Sequence, residues 1–416
     1  MDKEDTQITN VSVMDKQALD NLRVLEWGNF ISAPFCTEML AQLGAEVIKI
    51  EPPGGDEARY YGPFPQDEPD LEKSGLFLYL NSNKSGITLD PLKPTGREIL
   101  FKLLEDTDIF VVNQPQLDLI KLDLDYETLK RQYPKLIMTL ITPFGNSGPY
   151  RDWKGYDINS CTLGGITSTI GFPDRTPLTP PLHQGHHQAG MMAAIAILFA
   201  VLNRDKTGQG TFIDQSEADV WATIHIGMYL QAFVNRGTIR KRTGHYVPQA
   251  YVDAVLPCKD GSVCIDTPQK RQWLSFMDAI GNPEWMNAQI FEDRNKTTSE
   301  YHEEADAYLA QWLMKHTKKE IFKTLQDARV PSAPVRTVDE ILNDPHMKQR
   351  EFFVSMDHPA AGRLNSYPGV SYKYSKKKSR TNRPAPLLGE HNETIFCQQL
   401  GFEKDQLKRW RDEKVI

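Results

Sequence analysis

Apolar and polar blocks alternate along the first third of the chain in a way that predicts strands and helices in turn. LRVLEWG, from Leu22, is a short β-rich run; PFCTEMLAQL follows, with Pro34 placed to open a helix and Gly44 to cap it. EVIKIE then reads as a strand. Strand, helix and strand within about thirty residues make a βαβ unit with a right-handed crossover. The alternation continues through GITLD (86–90), PTGREILFKLLEDT, DIFVVN (108–113), YETLKRQY and KLIMTLITPFG (135–145). It predicts an α/β fold built on a doubly wound parallel sheet. FISAPF stands where a dinucleotide-binding GxGxxG would follow the first strand, so that fingerprint is missing.

Further on, AGMMAAIAILFAVLNRDKTGQG (189–210) reads as a helix apolar on every side, hence one buried in a large core. TFID is a strand, and Ser216 with Asp219 is placed to cap one continuous helix, SEADVWATIHIGMYLQAFV. After residue 237 the pattern changes to short β-like runs (AYVDAVLPC, SVCID) and amphipathic helices (QWLSFMDAI, EADAYLAQWLMKHT), which predicts a smaller α+β domain. The last ninety residues read as loop-rich with short helices, and residues 1–18 as a flexible tail without apolar periodicity.

Composition narrows the class. A chain of 416 residues, 40% hydrophobic and 25% charged, is a globular protein too long for one ordinary core. A net charge of −7 argues against a nucleic-acid partner. The one basic run, Lys376, Lys377 and Lys378 with Arg380 and Arg383, reads as a solvated loop. Five cysteines without ligand spacing read as reduced thiols, a polar N-terminus as no signal peptide, and the Met191–Leu202 apolar run as too short for a bilayer. The expectation is a cytoplasmic protein with no membrane contact.

Five collinear segments carry a resemblance. NLRVLEWGNFISAPFCTEMLAQLGAEVIKIEPPGGDEAR, LNSNKSGITLD, WKGYDINS, DKTGQGTFIDQS and RPAPLLGEH resemble, in order, motifs of the class III CoA-transferases, the family of formyl-CoA transferases, carnitine CoA-transferases and α-methylacyl-CoA racemases. The resemblance implies a Rossmann-like large domain made from both chain ends, residues 19–235 and 330–416, with a small domain over 236–329. It also implies two ring-like subunits interlocked as a dimer, and coenzyme A or an acyl-CoA as substrate rather than a metal-dependent reaction.

The family's nucleophilic aspartate lies in a glycine-framed motif that here is QGHHQAGM, and position 186 holds histidine. In CoA transfer a carboxylate attacks the donor thioester, and the released thiolate then attacks the enzyme's own carbonyl to form an enzyme–CoA thioester. Imidazole has no carbonyl to become that thioester, so His186 cannot replace aspartate. The leading account makes this chain one subunit of a heteromer whose paralogous partner supplies the aspartate, as in the two-subunit succinyl-CoA:(R)-benzylsuccinate CoA-transferases. The alternatives are a relocated nucleophile (Asp157 or Asp174), proton transfer by His186 with Asp157 orienting it, or a non-catalytic regulatory homologue. Racemases of the family carry His-Asp-Ile-Asn where this chain has Tyr156-Asp157-Ile158-Asn159, which argues against ordinary racemase activity.

A metal site at His183, His186 and His187 lacks an HxxxH spacing and a marked fourth ligand. His183 and His187 read as helix-start hydrogen-bonding groups. The resemblance places Tyr156 beside the active site and Asn113 and Lys154 against CoA, and Ser32 is a further candidate CoA contact. Arg59 and Lys84 follow strands at the carboxyl edge, where open α/β sheets bind ligands, and read equally well as solvated cations. Against a complete CoA pocket stand Ile31, the Gln114-Pro115-Gln116 segment and YVPQAYVDA, which replace a polar, a basic and a glycine-rich contact of the family.

Overall fold

The computed structural model describes residues 17–247, 249–375, 381 and 383–416. Most of the proposed tail and the basic residues Lys376, Lys377, Lys378 and Arg380 lie outside these. The chain divides into two compact units: Met1–Gly165, Pro180–Met228 and Pro345–Ile416 form one, and Ile166–Thr179 with Tyr229–Asp344 the other. The expected boundaries 235/236 and 329/330 lie 7 and 15 residues from 228/229 and 344/345, and residues 166–179 belong to the second unit.

The first unit is organised on six strands: β1 (Arg23–Trp27), β2 (Glu46–Glu51), β3 (Ser85–Thr88), β4 (Ile109–Val112), β5 (Ile137–Thr142) and β6 (Thr211–Ser216). They pair in the order β3-β2-β1-β4-β5-β6, every pair parallel. This is the Rossmann order, with its topological switch between β1 and β4. Strand side chains alternate between two cores. Leu25, Ile48, Phe110 and Met138 face a layer closed by the C-terminal Phe396, Leu407, Trp410 and Ile416. Val24, Val47, Ile109 and Ile137 face α1 (Ser32–Ala41) and its neighbours. The C-terminal segment is stitched to β3: Thr88 N–H donates to Asn392 Oδ1 at 2.8 Å, and Asp90 N–H to the Val415 carbonyl at 2.8 Å.

α2 (Asp157–Leu163) and α3 (Gln184–Thr207) follow β5. α3 departs from the expectation of an all-round core helix. Ala189, Ala193, Ala194, Ile197 and Ala200 are buried in the α1 layer, whereas Met191, Ile195, Phe199 and Leu202 are exposed, Phe199 at 67%. Gly190 permits the close packing, since a Cβ there would lie 2.5 Å from the Ser32 carbonyl oxygen. α3 is long and apolar enough to cross a membrane by composition alone, yet its small-residue face is packed inside this unit.

The predicted long helix after β6 is interrupted. α4 covers only Glu217–Val220, a wider five-residue turn follows at Trp221–His225, and a second helix spans Gly227–Arg236. The second unit holds an antiparallel sheet of β7 (Asp253–Cys258), β8 (Gly261–Asp266) and β9 (Ser332–Pro334) with amphipathic helices, the α+β texture expected. In the C-terminal ninety residues, a hairpin of β10 (Phe353–His358) and β11 (Gly362–Pro368) stands where only loops and helices were anticipated.

Candidate active site

The loops after β1 and β4 meet at the switch point. Asn113 donates to the Asn29 carbonyl (2.8 Å) and to Ser32 Oγ (3.1 Å), and accepts from Asn29 N–H (2.9 Å). Ser32 and Asn113, placed 81 residues apart by the sequence, are therefore neighbours at the crevice where α/β sheets hold ligands. Phe30, two residues before Ser32 and held in the left-handed region (φ 65°), donates its N–H to Asp56 Oδ1 and turns its ring toward the histidines. Ring centroids of Phe30 and His186 are 5.8 Å apart, those of Phe30 and His183 5.2 Å, both edge-on. A bulky residue kept at positive φ marks a site whose surroundings hold it there.

α3 begins after Leu182 and His183, both left-handed. His183 gives no side-chain cap; instead Asp157 Oδ1 accepts the His186 N–H at 3.0 Å. The carboxylate thereby satisfies a free donor and sits in the positive field of the helix start. Gly185 makes room for it: a Cβ there would lie 2.6 Å from Asp157 Oδ1 and 2.9 Å from Trp221 Nε1.

The His186 ring engages a different carboxylate. Its Nδ1 lies 2.6 Å from Glu217 Oε1, and Glu217 is 2% exposed. Among the described residues Nε2 has no hydrogen-bond partner, and it still meets solvent. Burial works against the charged imidazolium, but the hydrogen bond and charge of Glu217, aided by Asp157 and Glu57, outweigh it and raise the pKa. Glu217 Oε2 and Trp221 Nε1 are sealed and unpartnered among the described residues. His187 differs: its Nδ1 is 3.0 Å from the His183 carbonyl oxygen, and burial lowers its pKa.

Other expected site residues distribute unevenly. Tyr156 precedes α2 and is 71% exposed; Lys154 is exposed nearby. Asp174 is an exposed turn residue of the second unit. Arg59 and Lys84 require correction as CoA contacts. Arg59 is fully buried, paired with Glu51 (2.6 and 2.8 Å) and Glu72 (2.8 Å), and bonded to the Leu71 and Pro386 carbonyls. Lys84 is fully buried and spends its three donors on Glu26 (2.9 Å), the Pro34 carbonyl (2.8 Å) and Asn81 (2.9 Å). Neither retains a donor for a phosphate. Glu217 was the residue missed: a glutamate opening a helix reads as ordinary dipole complementation, and nothing local ties it to a histidine 31 positions earlier.

Among the described residues no group of three or more His, Cys, Asp or Glu side chains is arranged to hold a metal. The profile of CoA-transferase family III matches residues 19–392. The chain belongs to that family. It is 31% identical over 403 residues to the succinyl-CoA–D-citramalate CoA-transferase of Chloroflexus aurantiacus, covering 96% of this chain and 98% of that one. It is 29% identical over 392 residues to subunit BbsE of the succinyl-CoA:(R)-benzylsuccinate CoA-transferase of Thauera aromatica, covering 90% and 93%. Among solved structures, a CAIB/BAIF family protein from Brucella suis superposes with a TM-score of 0.82 at 27% identity, over 92% of this chain and all of that one. The Chloroflexus and Thauera relatives are named as a CoA-transferase and as a subunit of one.

Proposed function

We propose that this chain is a cytoplasmic subunit of a heteromeric CoA-transferase that moves CoA from an acyl-CoA, such as succinyl-CoA, to an organic acid. The nucleophilic aspartate comes from a paralogous subunit. The observation that carries this is His186 in the aspartate's frame, its ring held against Glu217. A side chain without a carbonyl cannot carry the enzyme–CoA thioester. Two further features support it: a relative of similar length is named as a subunit, and α3 leaves an apolar stripe of Met191, Ile195, Phe199 and Leu202 open to a second chain. Ser32, Asn113, Lys154 and Tyr156 are the residues proposed to face CoA and the acyl group, and the interlocked ring dimer is the proposed assembly.

The test is reconstitution. The purified chain, a family member with the motif aspartate encoded beside it, and their mixture are each given succinyl-CoA and candidate acids. Transfer by the mixture alone, lost when the paralogue's aspartate becomes alanine, is the expected result. Transfer by this chain alone, with a CoA thioester located by mass spectrometry on Asp157 or Asp174, overturns the proposal.

A further inference from the structure

We propose that His358 and His391 form an acid-sensitive clasp that holds the C-terminal segment over the edge of β3 and releases that edge when the two imidazoles take up protons. β3 ends the sheet on its side, so its outward N–H and C=O groups need the partners that a further strand would give. Residues 383–392 supply them, largely through side chains. Gly86 N–H donates to His391 Nδ1 at 3.2 Å, and the Gly86 carbonyl accepts the His391 N–H at 2.9 Å. Thr88 N–H donates to Asn392 Oδ1 at 2.8 Å, while Asn392 Nδ2 donates to Thr88 Oγ1 at 2.7 Å. Pro386 covers Gly86 so closely that a Cβ there would lie 2.7 Å from its ring. Gly86 is buried, and its N–H goes unpaired if His391 stops accepting.

His358 grips the same segment from the end of β10. It is 3% exposed, its Nδ1 accepts the Ala360 and Ala361 N–H groups at 3.2 and 3.0 Å, and its ring hydrogen-bonds the Ala385 backbone. In both rings Nδ1 is an acceptor, so only an imidazole bare at Nδ1 fits. A second proton must go to that nitrogen, where it meets a backbone N–H head-on. Glu72 and Glu390 favour the charged form of His358 and Arg59 opposes it; Glu390 favours the charged form of His391 and Arg383 opposes it. Burial outweighs these acids and lowers the pKa of both rings. A folded value below the ordinary 6.5 contributes stability that is complete above 6.5 and lost as pH falls below it. The ties between the two histidines, Arg59 to the Pro386 carbonyl (3.0 Å) and Leu388 N–H to Glu72 (3.0 Å), use no imidazole. Acid therefore loosens the cover at its histidine-held points, and the Gly86 N–H becomes a free edge donor.

The test is amide hydrogen exchange of the full-length chain, read by mass spectrometry at pH 7.5 and pH 5.0 and corrected for the pH dependence of chemical exchange. In the wild type, residues 85–88 should lose about tenfold or more of their protection at the lower pH, the scale set by one buried donor left unpaired. Residues 137–142, in the interior strand β5, should keep theirs. Asparagine offers Oδ1 where histidine offers Nδ1, and it accepts at either pH. His391→Asn should therefore remove most of the pH response at residues 85–88, and adding His358→Asn should remove the rest. His391→Phe, a ring without an acceptor, should leave residues 85–88 poorly protected already at pH 7.5. Protection of residues 85–88 that is the same at both pH values in the wild type overturns the clasp. So does a loss that persists undiminished in the double asparagine variant, or one shared equally by residues 137–142.

Discussion

Lys84→Met separates a structural lysine from a ligand-binding one. Lys84 lies in a closed quartet with Glu26, Lys49 and Asp56: Lys49 bridges Glu26 (2.8 Å) and Asp56 (2.7 Å), and Lys84 neutralises the other Glu26 oxygen at 2.9 Å. Burial pushes the Glu26 carboxyl upward, but Lys49 and Lys84 outweigh it and hold it at about 2. Methionine matches the stem of lysine, so the packing term is small. What is lost is one of two cations balancing two buried anions, with the Pro34 and Asn81 acceptors left open. Breaking a buried pair from one side costs about 3–5 kcal/mol. In a unit of this size that lowers the melting temperature by on the order of 10 °C.

The sign with pH follows from Glu26. Its depressed value contributes stability that is present above the unfolded pKa near 4.5 and lost as pH falls toward about 2. Without Lys84 the carboxyl protonates at higher pH, so the gap between variant and wild type should be widest at pH 7 and narrow toward pH 4. Urea unfolding at several pH values measures the gap, and calorimetric titration with acyl-CoA measures binding. An unchanged unfolding midpoint together with weakened acyl-CoA binding would refute the structural assignment.

Two further outcomes follow from buried carboxylates. Glu38 is fully sealed, and burial pushes it up to about 7 despite Lys84, Ser82 and Gln42. A raised carboxyl favours folding while protonated, and that advantage is lost as pH rises from about 4.5 through about 7; Glu38→Gln should therefore gain about 1–3 kcal/mol over wild type at pH 8 and nothing at pH 5, read by denaturant midpoints. His186→Asp sets a second carboxylate against Glu217, with Asp157 adjacent; thermal melts should show it less stable at pH 8 than at pH 5, and adding Glu217→Gln should remove most of that difference.

The parallel sheet was legible because its central strands β1, β4 and β5 carry apolar residues on both faces and the first crossover has its own start and stop signals, as with Gly44 (φ 101°) after α1. The two units were legible as a change in periodicity, though not in their boundaries, since residues 166–179 join the second unit through contacts distant in sequence, such as Arg242 with the Phe172, Pro173 and Arg175 carbonyls. The β10–β11 hairpin was hidden because its strands alternate weakly and expose much of both faces. His186 and Asp157 were singled out in the sequence, and the structure joins them through the His186 N–H. Glu217 was not, because its significance comes from a hydrogen bond across two helices. Arg59 and Lys84 misled for the opposite reason: strand-end cations serve ligands and buried acids equally well, and only the neighbours of Glu26 and Glu51 decide between them.

The stitching of the C-terminus to β3 bears on how the chain is made. β1 to β4 leave the ribosome early, yet one face of their sheet waits for Phe396, Trp410 and Ile416. At ~5–20 residues per second, the roughly 300 intervening residues take about 15–60 s to synthesise. For that interval Leu25, Ile48 and Phe110 are covered on that side only by side chains of residues 99–129, such as Leu100, Leu104 and Leu129, and the Pro386 carbonyl has not reached Arg59, 327 positions upstream. The nascent chain therefore carries a partly covered sheet face until residues 395–416 emerge, and a product truncated before residue 395 lacks that part of its core.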